Sequence, residues 1–281
     1  LPFPPSNNKR PAQLNNSLSI PQTSGFSHAI QAIWQIERRT PFHKEIIVPK
    51  GVVEIIFNLN DSFPILSQIG DSQYRVSNCF INGFNTAPIS LQPPEQQVFF
   101  GVQFQPMAVK AIFGTPASEF SNTLVDATLL DPVFRSLWHQ LAEQSGFEAR
   151  VSVFLSWLEK RFSEPEPRER LMNDFLVGAS WHNVSVTALA NSLYYSPRHL
   201  SRKITETTGM NTEEMLLYKK YLHAVHLMHH SELTLTEIAH ESHFSDQSHF
   251  IKSFKTFTHM TPGAYKRMKS NVMGHVFEDV R

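Results

Sequence analysis

Apolar residues follow two different rhythms along this chain, and the change between them divides it. From residue 26 to residue 105 the apolar runs are short and β-favouring: Ala29 to Ile36, Ile46 to Val48, Val52 to Leu59, Cys79 to Phe84 and Val98 to Phe104, separated by Pro, Gly, Asn and Asp. That pattern predicts an antiparallel sheet or a small barrel. Within Val52 to Leu59, alternation puts Val53, Ile55, Phe57 and Leu59 on one face and Val52, Glu54, Ile56 and Asn58 on the other. A purely structural strand keeps a carboxylate such as Glu54 in water, whereas a strand that lines a cavity turns it inward. After Pro106 the period is near 3.6, which predicts helices over Met107 to Phe113, Pro132 to Gln144 and Phe147 to Phe162, the last two forming a hairpin around Ser145 and Gly146.

The first 25 residues are rich in Pro, Asn and Ser without periodicity, so an extended or disordered arm is expected, with ordered structure starting near Phe26. Ser163 to Arg168 reads Ser-Glu-Pro-Glu-Pro-Arg, lacks apolar anchors, and is the best linker in the sequence. With 281 residues and 41% hydrophobic side chains, each side of that linker has enough material for its own core. The expected organisation is an arm over 1–25, a first domain over 26–162, a linker over 163–168, a second domain over 169–270 and a tail over 271–281.

Beyond the linker, two stretches about fifty residues apart share one grammar. In the first, Ser185 is placed to cap a short helix carrying Leu189, Ala190 and Leu193, and a turn at Tyr194 and Tyr195 leads into Ser196 to Ile204. In the second, Thr234 and Glu237 form a capping box before Leu235, Ile238 and Ala239, and Ser245 to Lys255 follows. Pro197 occupies a first helical position, and serines at 196 and 245 read as caps. The pairs Leu200/Ile204 and Phe250/Phe254 would pin each second helix to its partner. The opposite faces carry Arg198, Ser201, Arg202 and Lys203 in one helix and Ser248, His249, Lys252 and Lys255 in the other. A short helix, a tight turn and a second helix with one apolar and one basic, hydrogen-bonding face is the pattern of a major-groove reader.

Charge sharpens that reading. Lys plus Arg and Asp plus Glu are both 25, so the whole chain is neutral, yet between Ser180 and Ser270 ten basic residues stand against seven acidic ones, a surplus of three. Eleven of the fourteen histidines lie at or beyond His182, so this part would become more basic near pH 6. The single cysteine, Cys79, excludes an internal disulfide and a multi-thiolate zinc site, and fits a cytoplasmic protein. His226, His229 and His230 have ligand-compatible spacing but no nearby carboxylate or cysteine, so no metal and no other cofactor is expected. No apolar run approaches the ~18 to 20 residues of a membrane span.

From about Asn183 to Arg267 these residues resemble the DNA-binding domain of the AraC/XylS family of bacterial transcription regulators. The likeness rests on Ser-Pro-Arg-His-Leu-Ser-Arg at 196–202, Thr208-Gly209, Leu235-Thr-Glu-Ile-Ala239, Phe244-Ser-Asp-Gln-Ser-His-Phe250 and Thr261-Pro262. In that family a long helix joins the two units. Asn211 to His230 fits it, and about twenty residues give a rod of about 30 Å, close to the ~34 Å turn of B-DNA. The implied fold class is α+β: an N-terminal small β-barrel or sheet with a helical hairpin, then an all-α domain with two helix-turn-helix units joined by a long helix. The resemblance implies base contacts from Arg198, Ser201, Arg202, Ser248, His249 and Lys252, and phosphate contacts from Ser196, Lys203, Ser245 and Lys255. His243 and His259 stand where the family has glycine, and Thr212 where it has proline, so strain at positive φ is expected at the two histidines. Ile47-Val48-Pro49, Glu54 to Asn58, Gly101 to Pro106 and Ala111 to Gly114 resemble the regulatory domain of a subset of the family, with Glu54 and Asn58 as candidate effector-binding residues. The partners so implied are double-stranded DNA, a small-molecule effector, RNA polymerase and a second copy through the N-terminal domain. An architectural DNA binder is a competing reading. A DNA-repair methyltransferase is another, but it needs a nucleophilic cysteine in a Pro-Cys-His-Arg motif that the chain lacks. No enzymatic activity is expected.

Overall fold

The structure is a computed structural model that describes residues 15–19, 25–40, 42–60, 65–162, 164–178 and 184–279. Its first half is built from strands β1 (Asn15–Ser19), β2 (Ile30–Arg39), β3 (Phe42–Ile47), β4 (Val53–Asn58), β5 (Ile65–Ile69), β6 (Ser72–Val76), β7 (Cys79–Asn82), β8 (Ile89–Gln92) and β9 (Gln96–Phe104). Helix α1 (Val109–Phe113), strand β10 (Leu124–Asp126) and helices α2 (Ala127–Leu130), α3 (Val133–Ala142) and α4 (Phe147–Glu159) follow. The second half holds α5 (Pro167–Val177), α6 (Val186–Ser192), α7 (Pro197–Thr208), α8 (Thr212–His230), α9 (Leu235–Glu241), α10 (Gln247–Thr258), α11 (Pro262–Met268) and a final strand, β11 (His275–Asp279).

The strands form two antiparallel sheets, not a closed barrel, in the orders β1-β2-β9-β4-β7-β10 and β11-β3-β8-β5-β6. The first sheet is covered on both faces. On one, Phe57, Phe100 and Phe104 pack their rings on Phe154 of α4 at 6.2–6.3 Å. On the other, Trp34, Ile36, Glu54, Ile56 and Phe99 face Ile47, Ile65, Ile89 and Leu91 of the second sheet. Double coverage explains why β4 is buried at five of its six positions despite its polar residues.

Several elements depart from the sequence expectation. A strand lies at Asn15–Ser19, inside the expected arm, paired to β2. Strands β5, β6 and β8 lie outside the apolar runs of the sequence, because each interrupts its apolar residues with serine, glutamine or arginine. The expected linker is shortened by helix: Glu166 caps α5 with a capping box to Glu169, and Pro167 takes the first helical position, where proline starts a helix rather than breaking it. The expected tail carries β11, which pairs with β3 in the other half of the molecule.

The two halves are packed together. The hydroxyls of Tyr218 and Tyr221 on α8, both fully buried, donate to the carbonyls of Asn85 (2.9 Å) and Pro49 (3.0 Å). Ser121 Oγ donates to the carbonyl of Thr208 at the end of α7 (3.1 Å), and the amide of Met107 donates to Asn173 Oδ1 on α5 (3.0 Å). Lys219 on α8 is buried and spends its ammonium on the carbonyls of Phe175, Leu176 and Gly178, which closes the C-terminal end of α5.

Candidate DNA interface and inter-sheet cavity

The two units repeat each other atom for atom at their turns. Ser185 Oγ accepts from the amide of Ala188 and Thr234 Oγ1 from that of Glu237, each capping the first helix. The turns close with Tyr195 N to Ala190 O at 2.9 Å and Phe244 N to Ala239 O at 3.0 Å. Ala190 and Ala239 are buried, as close crossing of the second helix requires. Each second helix then ends with a threonine, Thr208 or Thr258, whose hydroxyl donates to the carbonyl four residues back and accepts from the amide two residues on. The offset is 49 residues up to the second turn and 50 beyond it, so the second unit carries one extra residue between Phe244 and α10.

That extra residue corrects one assignment. The cap of α10 is Asp246, whose Oδ1 accepts from the amide of His249 at 2.8 Å, whereas Ser196 itself caps α7. Ser245 instead shares a 2.9 Å hydrogen bond with His249 Nδ1. The amide of His249 holds the Asp246 carboxyl below its ordinary pKa, with Ser245 assisting, so it stays ionised. An anion at that helix start repels phosphate, and Ser245 is a poorer anchor than Ser196.

Helical phase sorts the remaining residues. Arg198, Ser201 and Arg202 lie along one row of α7, and Ser248, Lys252 and Lys255 along the matching row of α10, with all but the half-buried Ser201 exposed. His249 flanks its row, half-buried against Phe244. Lys203, five positions after Arg198, lies about 140° around the helix from it. It lines a crevice with Met107, Pro116 and Glu169, so the structure turns it toward the first half and not toward the DNA-facing row. The fifty-residue offset reveals one residue that the sequence reading missed. Ile251 occupies the place of Ser201 and is 40% exposed, suited to contact a thymine methyl.

His243 and His259 both have φ of 57°, as their replacement of glycine implied, and Tyr194 has φ of 56° at the place matching His243. His259 is exposed, and only its backbone serves the turn, the amide donating to Lys255 O at 2.9 Å. His259→Gly is therefore expected to stabilise the chain by about 0.5–1 kcal/mol. Urea unfolding of the two proteins checks this, and a less stable variant would show that the ring contributes more than the strain it causes. The rings of His226 and His230 lie 4.4 Å apart, tilted by 40°, on the exposed side of α8, and His229 Nε2 meets Tyr265 Oη at 2.8 Å. The same phenol oxygen accepts from Gly274 N at 3.1 Å. Burial and the neighbouring Lys269 push His229 down to about 4, so it is neutral at physiological pH.

A cavity of about 80 Å³ lies between the sheets. Glu54 is on its wall, 2% exposed. Its carboxylate accepts from Asn82 Nδ2 (3.0 Å), Trp34 Nε1 (3.3 Å) and Gln103 Nε2 (3.3 Å), and pairs with Lys50 Nζ (3.4 Å). Burial works to raise its pKa, but Lys50 and the amide donors outweigh burial and hold it below the ordinary value. Gly101 supports this wall, since a Cβ there would come within 2.2 Å of the Trp34 ring. Asn58 is buried elsewhere: its Oδ1 accepts from the amide of Asn60, and its carbonyl accepts from Trp138 Nε1, beyond the end of the cavity. Arg38, Glu45, Gln97 and His275 are wall residues that sequence reasoning did not find. Alternation could have suggested Arg38 and Gln97, but nothing local marks His275.

Two capped helix-turn-helix units joined by one long helix, each presenting an exposed polar row, define a double helix-turn-helix DNA-binding domain. Comparison with known proteins agrees. The family described as "Helix-turn-helix domain" matches residues 189–268, and "Domain of unknown function (DUF6597)" matches residues 20–126. The HTH-type transcriptional activator RhaS of Escherichia coli O1:K1 / APEC is 28% identical over 114 residues, 41% of this chain and 34% of that protein. An uncharacterized HTH-type transcriptional regulator of Staphylococcus aureus (strain MSSA476) is 33% identical over 84 residues, 30% of this chain. The chain spans only 11% of that regulator's length and 34% of RhaS. Unsaturated fatty acid bound wild-type ToxT from Vibrio cholerae strain SCE256 aligns over 85% of this chain and 95% of that one, with 15% identity and a TM-score of 0.49. Residues 189–268 thus form an AraC-type helix-turn-helix domain, similar to that of these transcription regulators.

Proposed function

We propose that the whole chain is a sequence-specific, DNA-binding transcription regulator, and not an enzyme, whose affinity for its sites is set by a small ligand in the inter-sheet cavity. The observation that carries this reading is the residue-by-residue repeat of the two units, with Arg198, Ser201 and Arg202 on one row and Ser248, Ile251 and Lys252 on the other. Helix α8, at 19 residues, is about 28 Å long, which suits two helices entering successive major grooves. Cys79 supports a binding protein over a repair enzyme, because it is 1% exposed and burial drives its thiol strongly toward the protonated form.

Selection of bound sequences from random duplex DNA, repeated with pooled metabolites, tests the reading. One chain is expected to protect a roughly 17–20 bp asymmetric site, and two chains joined through the N-terminal half a site of twice that length. Protection of a single major groove would exclude the two-unit arrangement. Selected sequences that never change across metabolite pools, at affinities that never change, would favour a constitutive binder. Contact with RNA polymerase is part of the proposed activity and is read by transcription from a promoter carrying the selected site.

A further inference from the structure

The cavity is small for a metabolite site: at about 80 Å³ it falls well below the ~300 Å³ of ordinary ligand pockets. A ligand of ordinary size needs this space to widen. Of the strands that line the cavity, β3, β5, β8, β2, β9, β4 and β7 each have a neighbour on both sides, while β10 and β11 are sheet edges. β10 runs directly into α2, whose cap is Asp126, so it is tied at once to a helix. β11 comes from beyond the DNA-binding units, pairs along its length with β3, meets the chain on its other side only at the Lys269–Val276 bridge, and its register breaks between Glu278 and Asp279.

One side chain of β11 reaches the cavity. His275 lines it and meets Glu45 Oε1 at 2.6 Å, and Glu45 also faces Arg38 at 3.9 Å. Resting on the reading that this cavity is the ligand site, we propose that β11 is a plug. The ligand is a neutral, mainly apolar small molecule whose entry displaces His275 from Glu45 and lifts β11 from the sheet edge. Neutrality follows from the wall itself. Its charges are already matched, Arg38 with Glu45 and Lys50 with Glu54, so a charged ligand would have to break a buried pair to be accommodated. Apolar character follows from Ile36, Ile56, Phe80, Ile89, Leu91 and Phe99, which form most of the remaining surface.

The plug is joined to the DNA-binding units by direct contacts. Ser270 N donates to His275 O at 3.0 Å, and Gly274 N donates to the Tyr265 hydroxyl at 3.1 Å. Tyr265 in turn packs its ring on Phe254, the buried anchor of α10, at 5.6 Å. Gly274 has φ of 83°, and a Cβ there would lie 3.0 Å from Lys50 Cγ, so the turn before β11 runs close beside the residue that neutralises Glu54. Movement of β11 therefore reaches both the cavity and the second recognition helix.

Two fluorescent probes of one ring system test this on the full chain: neutral N-phenyl-1-naphthylamine and anionic 1-anilinonaphthalene-8-sulfonate. The neutral probe is expected to bind better than the sulfonate. It should bind about tenfold tighter to His275→Ala, because the competing hydrogen bond is gone, and not at all to Ile56→Trp, which fills the cavity. In the unsubstituted protein, amide exchange at 275–279 is expected to speed up when the neutral probe is added, a measurement that needs no variant to fold. Binding lost in Ile56→Trp but equal with and without His275, and with β11 exchange unchanged, would overturn the plug while leaving the cavity as the ligand site. Binding indifferent to Ile56→Trp, or absent altogether, would overturn both. Preference for the sulfonate would overturn the ligand class.

Discussion

Glu54→Ala is expected to destabilise the full chain by about 3 kcal/mol at pH 7. The carboxylate is nearly inaccessible and is surrounded by donors on Trp34, Asn82, Gln103 and Lys50. Removing it leaves those donors facing one another across a cavity with few acceptors, and an unmade buried hydrogen bond costs more than a made one contributes. Glu54→Gln keeps an acceptor and the volume but loses the charge facing Lys50, so it should cost less than the alanine variant. The sign of the pH dependence follows from the lowered native pKa. Above the unfolded value near ~4.3 the native pairing contributes in full, and the contribution is lost as pH falls through the lower native value. The gap in unfolding free energy between the natural chain and Glu54→Gln should therefore be widest at neutral pH and narrow below pH ~4. Urea melts at pH 7 and pH ~3 measure it. A gap unchanged by acid would mean that Glu54 does not act as a carboxylate in the folded protein.

The buried carboxylate shows what local pattern can reveal. Alternation along Val52 to Leu59 correctly set Glu54 and Ile56 on the face opposite Ile55 and Phe57, because a strand's period is fixed at two. It did not place Asn58, since sharing a face does not fix how far along the strand a cavity extends. Strands β5, β6 and β8 carry only half their pattern in apolar side chains and gain their place from neighbours in the sheet. β11 is the extreme case: Val276 pairs with Ile46, 230 residues away, and no local signal announces such a contact. The helical half was far more legible. Ser185, Ser196, Thr234 and Asn211 act where caps were sought or where a helix was expected to begin, because capping is chemistry within three residues. The one misplaced cap there has an equally local cause. Ser245 does not match Ser196, because the second unit carries one extra residue before α10, and Lys203 lies on the flank of α7, apart from the row of Arg198, Ser201 and Arg202.

Phase and exposure fix the expected outcome of substitutions on the DNA-facing rows. Arg202→Ala is expected to weaken binding to the selected site by about 1–3 kcal/mol and to relax the preference at one or two base pairs. Its ion pair with Glu206, at 3.8 Å between two exposed side chains, does not hold it back, because such pairs contribute little in water. Lys255→Ala should instead weaken all sequences evenly and make the salt dependence shallower, as expected of a phosphate contact at the edge of the α10 row. Lys203→Ala is the discriminating control. In the crevice beside Met107 and Glu169, and 4.0 Å from Glu206, it should change neither sequence preference nor salt slope. Titrations of the three variants against the selected duplex and a scrambled one, across a series of salt concentrations, separate these outcomes. If Lys203→Ala matched Lys255→Ala in its salt slope, α7 would have to turn about its axis on binding DNA. The packing of Thr207 and Thr208 against the first half would then be a contact of the unbound chain alone.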